Sequence, residues 1–322
     1  MGAAPSKQLL SGGLFGLYVG VNLSNLLLAA ASQRQQTKYI NSTAVALSEV
    51  IKGITSVMSI AATEKNLKTA AAVVLQTLLK DPVELAKVAI PATLYTIQNN
   101  VIYAALSHLD AVTFQITYQL KIVASLISTR LLLGGRVSRA RWASIVLLTA
   151  GVILVQLSML NGSDAQDSSE WSKNHLVGLL GVLLACGCSG LAGAVMEALL
   201  KSKEVPISKR NLQVAAVSLL LQAVHIVTND FSKIAADGFF QGYTPVVWSM
   251  VVLDSVGGLL VSFLLKYTTS ALKNFGAPIG IIANCLVSRY VNAKAERKPV
   301  NRKFVAGTSL VLLALGMYTT SS

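Results

Sequence analysis

Lys121 lies in the apolar stretch TFQITYQLKIVAS, and Phe114, Tyr118 and Ser125 fall seven and three residues before it and four after it, on one helical face. Rings, a hydroxyl and a cation on one stripe suit a nucleotide: an aromatic face stacks on a base and an ammonium group neutralises phosphate. Aromatics at helical spacing are also ordinary packing, so the weight rests on the lysine, whose insertion into hydrocarbon costs about 2.5–3.5 kcal/mol. In the preceding stretch, LYTIQNNVIY, the residues Tyr95, Gln98, Asn99 and Ile102 share a face. Amides at such a depth either join helices or read a polar ligand. Glu49 and Lys52, three residues apart, either pair with each other or take a gating or substrate role.

The second half of the chain repeats these ingredients. In CSGLAGAVMEALLK, Gly190, Gly193 and Glu197 share a face that admits close approach of another helix or of a ligand. In DSVGGLLVSFLLKY, Ser255, Gly258, Ser262 and Lys266 form a stripe ending in a lysine, which either faces a ligand or snorkels to the interface. Asp254, in the same stretch, has no evident partner, and Arg210, Asn211 and Gln213 open a further apolar segment. There is no HExxH, no phosphate loop and no nucleophile elbow. His108, His175 and His225 are scattered, and Cys186, Cys188 and Cys285 lie in apolar stretches as packing residues. No catalytic set, metal or cofactor is expected, and without an ATP-hydrolysing module any transport is secondary.

The elements that carry these residues follow from composition. The chain of 322 residues is 53% hydrophobic and 13% charged, with mean hydropathy +0.60. Soluble chains are about 25% charged, so the bilayer must solvate much of this one. Apolar runs place helices near 9–31, 39–62, 84–106, 110–134, 140–160, 174–201, 208–229, 242–266, 268–291 and 301–319. The first run continues past the length of a signal-peptide core and is expected to be retained. Connectors two, four and six hold Lys65, Lys68, Lys80, Arg136, Arg139, Lys201, Lys203, Lys209 and Arg210, against Arg34, Lys38, Lys173 and Lys233 in connectors one, three, five and seven. The even connectors and both termini therefore face the cytosol, and the Asn161-Gly162-Ser163 triplet faces the lumen. The ninth connector, with Lys294, Arg297, Lys298, Arg302 and Lys303, breaks this pattern. The net charge of +13 falls in short clusters between apolar runs, which marks topology and not nucleic-acid binding.

The expected fold is thus an all-α polytopic membrane protein, ten transmembrane helices in one membrane domain over 1–322: a first half 1–160, a luminal connector 161–173 and a second half 174–322. Five spans per half is odd, so two related halves would be inverted repeats with substrate bound at the midplane.

The stretch YTIQNNVIYAALSHLDAVTFQITYQLKI (95–122) closely resembles the signature of Golgi nucleotide-sugar transporters, the branch of the drug/metabolite transporter superfamily with UDP-galactose, UDP-N-acetylglucosamine and CMP-sialic acid carriers. TAVALSEVIK, ASIVLLTAGVILVQ, SGLAGAVMEALLK, RNLQ, FFQGYTPVVW and VGGLLVSFLLKYTTSALKNF extend the resemblance over roughly 39–275. It implies an antiporter in the Golgi membrane, with the endoplasmic reticulum as alternative. A cytosolic nucleotide sugar would enter the lumen in exchange for the nucleoside monophosphate, among membrane lipid and with a homodimer allowed. It also implies a pocket of Tyr95, Asn99, Tyr118, Lys121, Ser189, Gly190, Gly193, Asn211, Ser255 and Lys266, with Glu49 and Lys52 near the sugar end. PVELAKVAIPATLYTIQNN and FFQGYTPVVW look more like the UDP-sugar carriers; a CMP-sialic acid carrier and a non-transporting scaffold of the same fold are the alternatives. Phe114 stands where the family often has Tyr, Val195-Met196-Glu197-Ala198 where it often has Tyr-Phe-Glu-Lys, and Thr268-Thr269-Ser270 where Asp-Asn is common.

Overall fold

The computed structural model describes residues 5–32, 38–64, 66–80, 82–106, 108–109, 114, 117–134, 137–159, 173–202, 205–276, 278–280, 282 and 302–320. All regular structure among them is helical: α1 Pro5–Ser32, α2 Asn41–Thr63, α3 Leu67–Leu75, α4 Pro82–Leu106, α5 Leu120–Leu133, α6 Arg139–Met159, α7 Lys173–Lys201, α8 Ile207–His225, α9 Phe231–Asp237, α10 Pro245–Tyr267, α11 Ser270–Asn274 and α12 Arg302–Thr320. Single π-helical turns, Gln76–Lys80 and Ile226–Asp230, follow α3 and α8. Five stretches among the described residues are long and apolar enough to cross a membrane: Asn41–Thr63, Leu176–Lys201, Ile207–Asp237, Pro245–Tyr267 and Arg302–Thr320. The protein is an all-α membrane protein. The glycosylation triplet at 161–163, the segment 283–301 that ends the ninth expected span, and Lys294, Arg297 and Lys298 lie outside the described residues.

Helix α3 corrects the reading of 63–83 as a plain connector. Its nine residues are too few for a hydropathy scan, yet Asn66 caps it by accepting from the Lys68 amide at 3.2 Å, and alanines and leucines carry it forward. Likewise α5 begins at Leu120, after a turn at Gln119, where the sequence suggested an unbroken helix from 110.

The chain divides into two compact units, each drawing on both halves of the sequence. One comprises residues 94–195 and 269–322 with the first four residues; the other comprises 5–93 and 196–268. In the first unit, α6 packs along α12, and α11 against α5. The α6–α12 approach is backbone to backbone. A Cβ on Gly151 would come 2.8 Å from the Gly307 carbonyl, and one on Gly307 2.7 Å from the Gly151 carbonyl. Without a hydrophobic force between helices in lipid, such close packing is what holds them together. Tyr318 of α12 fixes the neighbouring elements: its hydroxyl lies 3.0 Å from that of Thr269, its ring 5.1 Å from the Phe275 ring and 5.6 Å from the Arg141 guanidinium.

In the second unit, α2 packs on α8, α1 on α10, and α10 on α2. Arg210, at 1% exposure, opens α8 and bonds Glu84 at 2.8 Å and Gln213 at 3.0 Å, tying α8 to the start of α4. Two nitrogens of the Arg210 guanidinium thus serve as a joint between helices, while its Nε is buried without a partner. Within α4, Pro91 cannot donate to the Lys87 carbonyl, and the division between units falls just after it, between Thr93 and Leu94.

Gly307→Val is expected to force α6 and α12 apart and to lower the melting temperature in detergent by several degrees, a cost of about 1–3 kcal/mol. Gly316→Ala, which adds a methyl into open space on the same helix, should leave it nearly unchanged in the same thermal scan.

Candidate functional site

In the first unit, the C-terminal part of α4, the start of α5, the glycine-rich face of α7 and α11 build one cluster. Phe114 and Tyr118 stack, with centroids 5.4 Å apart and planes 18° apart. Phe114 is 9% exposed and packs among Ala105, Leu109, Val182 and Cys186, so it backs the Tyr118 ring from within the apolar core. The Gln98 amide donates to the Tyr118 hydroxyl at 2.9 Å, and Ser189 of α7 is a further partner of that phenol. The Lys121 ammonium lies over the Tyr118 ring, 4.4 Å from its centroid. A cation over an aromatic face keeps part of its solvation without a carboxylate, and is still free to move to an anion.

A second cation joins it. Lys273 of α11 lies over the Tyr95 ring at 5.9 Å, within electrostatic range of Lys121. The short helix α11 is positioned by Ser270, whose hydroxyl accepts from Ser125 at 2.9 Å. A Cβ on Gly193 would collide with the Ser270 hydroxyl and reach 4.0 Å from that of Tyr95, so this glycine makes the room for both. Gly190 lies one turn earlier, where a Cβ would meet the Ala124 and Ser125 backbone at 2.5–2.8 Å. The sequence-predicted Tyr95, Gln98, Phe114, Tyr118, Lys121, Ser189, Gly190 and Gly193 therefore come together. The Asn99 side chain lies outside the described residues. Sequence reasoning missed Lys273 and Ser270 as site members. Their signal was the charge that weakens the ninth apolar run and the serine three residues before it.

The Gln98 carbonyl oxygen is buried and has no partner. The cluster thus offers two cations, polarised rings and an open acceptor, the chemistry of a phosphorylated ligand with a hydrogen-bonding base.

In the second unit, the Lys52 ammonium donates to Glu49 at 2.6 Å along α2, the pairing that the sequence left as one alternative. Ser255 is 1% exposed and donates to the Val251 carbonyl at 2.7 Å and the Ser48 carbonyl at 3.2 Å, which makes it a joint between α10 and α2. Asn211 is buried in the first turns of α8, and Lys266 lies half-buried in the last turn of α10, where a cation complements the helix dipole. No group of His, Cys, Asp and Glu among the described residues is arranged to hold a metal.

Comparison with known proteins gives a consistent result. The nucleotide-sugar transporter family profile matches residues 14–319, which includes the C-terminal region where the local motifs fade. The chain is 35% identical over 286 residues to a UDP-N-acetylglucosamine transporter of Rattus norvegicus, covering 87% of this chain and 85% of the relative. It is 36% identical over 284 residues to that of Homo sapiens, with the same coverage. It is 34% identical over 283 residues to a UDP-galactose translocator of Mus musculus, covering 88% of this chain and 71% of the relative. One solved crystal structure superposes over 98% of both chains with a TM-score of 0.67 at 14% identity, a likeness of fold.

Tyr118→Phe is expected to keep the ring beneath Lys121 while depriving Gln98 of its acceptor, at a cost of roughly 1–2 kcal/mol. Tyr118→Ala also removes the ring and should cost more. Thermal unfolding of the detergent-solubilised variants, ranked in that order, checks the assignment.

Proposed function

This chain belongs to the nucleotide-sugar transporter family, and on that premise we propose that it is an antiporter moving a UDP-sugar, UDP-galactose or UDP-N-acetylglucosamine, into the Golgi lumen in exchange for UMP. It does so as ten spans in two inverted repeats of five, with both termini in the cytosol, by alternating access. The observation that carries the reading is the pair of lysines held over tyrosine rings in the first unit, Lys121 on Tyr118 and Lys273 on Tyr95. A diphosphate supplies the oxygens that draw two ammonium groups off their rings. A monophosphate returning from the lumen re-engages the same cations, so the empty site, in which the two ammonium groups repel one another, is the costly state to reorient. That preference for crossing loaded is the physical content of exchange.

Gln98 and the Tyr118 phenol present polar contacts to the base, and Phe114 holds the Tyr118 ring in place from behind. The choice of a UDP-sugar is supported by the names of the relatives, UDP-N-acetylglucosamine transporter and UDP-galactose translocator.

The test is uptake of labelled UDP-, CMP- and GDP-sugars into proteoliposomes preloaded with UMP, CMP, GMP or nothing. UDP-galactose or UDP-N-acetylglucosamine uptake should be stimulated by internal UMP. Lys121→Ala and Lys273→Ala should each weaken apparent affinity by roughly 10- to 100-fold, the worth of a charge-assisted contact. Stimulation by CMP in place of UMP would make the substrate a CMP-sugar. No stimulated uptake of any sugar by folded protein would leave the scaffold reading.

A further inference from the structure

The segment FFQGYTPVVW, which the phosphate chemistry of the first unit does not use, closes one end of the second unit. Three of the long apolar stretches begin or finish there: Asn41–Thr63 starts, Ile207–Asp237 finishes and Pro245–Tyr267 starts. This is the level at which bilayer gives way to water, and the side chains agree with it. Phe240, Tyr243 and Trp248 pack ring to ring with centroids between 5.3 and 6.0 Å apart, and Tyr39 meets Tyr243 edge-on at 6.5 Å. Phe240 is 56% exposed and Trp248 44%, as aromatic rings of a headgroup belt are.

A cavity of about 450 Å³ opens beside these rings, and its lining includes Lys38 and Tyr39 at the entry to α2 and Asp230, Lys233, Asp237 and Gln241 in and around α9. Its walls are fixed by close contacts. Gly242 holds φ +67°, and a Cβ there would come 2.8 Å from the Lys38 carbonyl, so a glycine is needed for the turn after α9 to lie on the chain that enters α2. The Thr43 and Tyr243 hydroxyls bond at 2.9 Å, and Ser42 donates to Asp230 at 2.7 Å. Asp230 also accepts from Lys233 at 3.1 Å, so that pair belongs to the wall. Lys38 and Asp237 are the charges left over: both are exposed, and neither has an ion-pair partner among the described residues.

Two lysines and two aspartates give this lining no net charge, so a simple anion or a simple cation answers only half of it. A ligand that satisfies it carries both signs, a phosphate for Lys38 and a cationic donor for Asp237. At the level of the headgroups, a zwitterionic phospholipid has that chemistry. An ethanolamine ammonium donates three hydrogen bonds, which Asp237 and the Gln241 carbonyl oxygen can accept; a choline nitrogen donates none. Val227 and Phe231, within one turn of Asp230, are 66% and 62% exposed and offer acyl chains an apolar surface.

We propose that this cavity of the second unit binds the phosphoethanolamine headgroup of a membrane lipid, with Lys38 on the phosphate and Asp237 on the ammonium. The site uses none of the residues of the cation–tyrosine cluster, and the inference stands whatever the chain transports.

The test uses the full-length protein, delipidated in detergent, with dioleoyl-phosphatidylethanolamine, dioleoyl-phosphatidylcholine, dioleoyl-phosphatidylglycerol or soluble phosphoethanolamine added at equal concentration. Native mass spectrometry measures how much of each is retained. Wild type should hold one phosphatidylethanolamine several-fold more tightly than the choline or glycerol lipid, and soluble phosphoethanolamine far more weakly, for want of acyl chains. Asp237→Asn should bring phosphatidylethanolamine down to the level of phosphatidylcholine. Lys38→Gln should weaken both by about 3- to 10-fold, between the worth of an exposed ion pair and that of a charge-assisted hydrogen bond. Lys68→Gln, at an exposed lysine of α3, should change neither. All three variants should melt at the wild-type temperature without lipid, which separates loss of the site from loss of the fold. Equal retention of the three lipids by wild type overturns the inference, and so does a preference that survives unchanged in both Asp237→Asn and Lys38→Gln. Tighter retention of phosphatidylglycerol overturns it in favour of a general attraction of basic connectors for anionic lipid. Soluble phosphoethanolamine held as tightly as the lipid overturns the lipid as the source of the headgroup.

Discussion

A charged nitrogen set among apolar helices has to be solvated by the protein, and the arrangement of the first unit follows from how Lys121 meets that requirement. A carboxylate would have neutralised it permanently. The Tyr118 ring instead gives partial compensation that an anion can outbid, and the surrounding residues keep the ring where it is: Phe114 behind it, Gln98 and Ser189 at its hydroxyl, and Cys186 of α7 bonded at 3.6 Å to its carbonyl. The glycines of α7 then have a definite task. They bring that helix to backbone contact with α5 and clear the space in which α11 presents Lys273.

The second unit solves the same problem by the opposite means. Arg210 pairs with Glu84, Lys52 answers Glu49, and Ser255 spends its hydroxyl on two backbone carbonyls. Charges that are paired in this way specify helix register and contribute little ligand chemistry. Against that background three buried polar atoms of the unit stay without a partner: the Asn25 carbonyl oxygen, Glu49 Oε2 and Arg210 Nε.

Much of the first unit's site was legible in the sequence because a helix converts spacing into proximity: Phe114, Tyr118, Lys121 and Ser125 needed only the period of 3.6. The same rule found Gly190 and Gly193. It could not find Ser270 or Lys273, which reach Tyr95 and Ser125 by tertiary packing of a five-residue helix too short to leave a periodic signal. Asn25 was invisible for a related reason. A single amide in an apolar run has no pattern of its own, and its partner Asp254 lies 229 positions away. Ser255 and Arg210 were legible as polar residues in or beside the membrane, but only burial and bonding distinguish a joint from a ligand contact. Helix α3 was missed because the scan weighs twenty-residue windows, whereas a capping asparagine works on one turn.

The pairing of α1 with α10 and of α2 with α8 also bears on biosynthesis. Neither unit is a contiguous piece of chain, so the first two helices leave the ribosome long before the helices that will cover them exist. Glu49 enters the lipid with only Lys52 for company, one turn away on its own helix, and that local pair lets α2 insert and wait. Asn25 and Asp254 have no such provision and can meet only after most of the polypeptide has been made. The order of translation thus assigns the early helices self-sufficient charges and reserves the inter-helix network for the end of assembly.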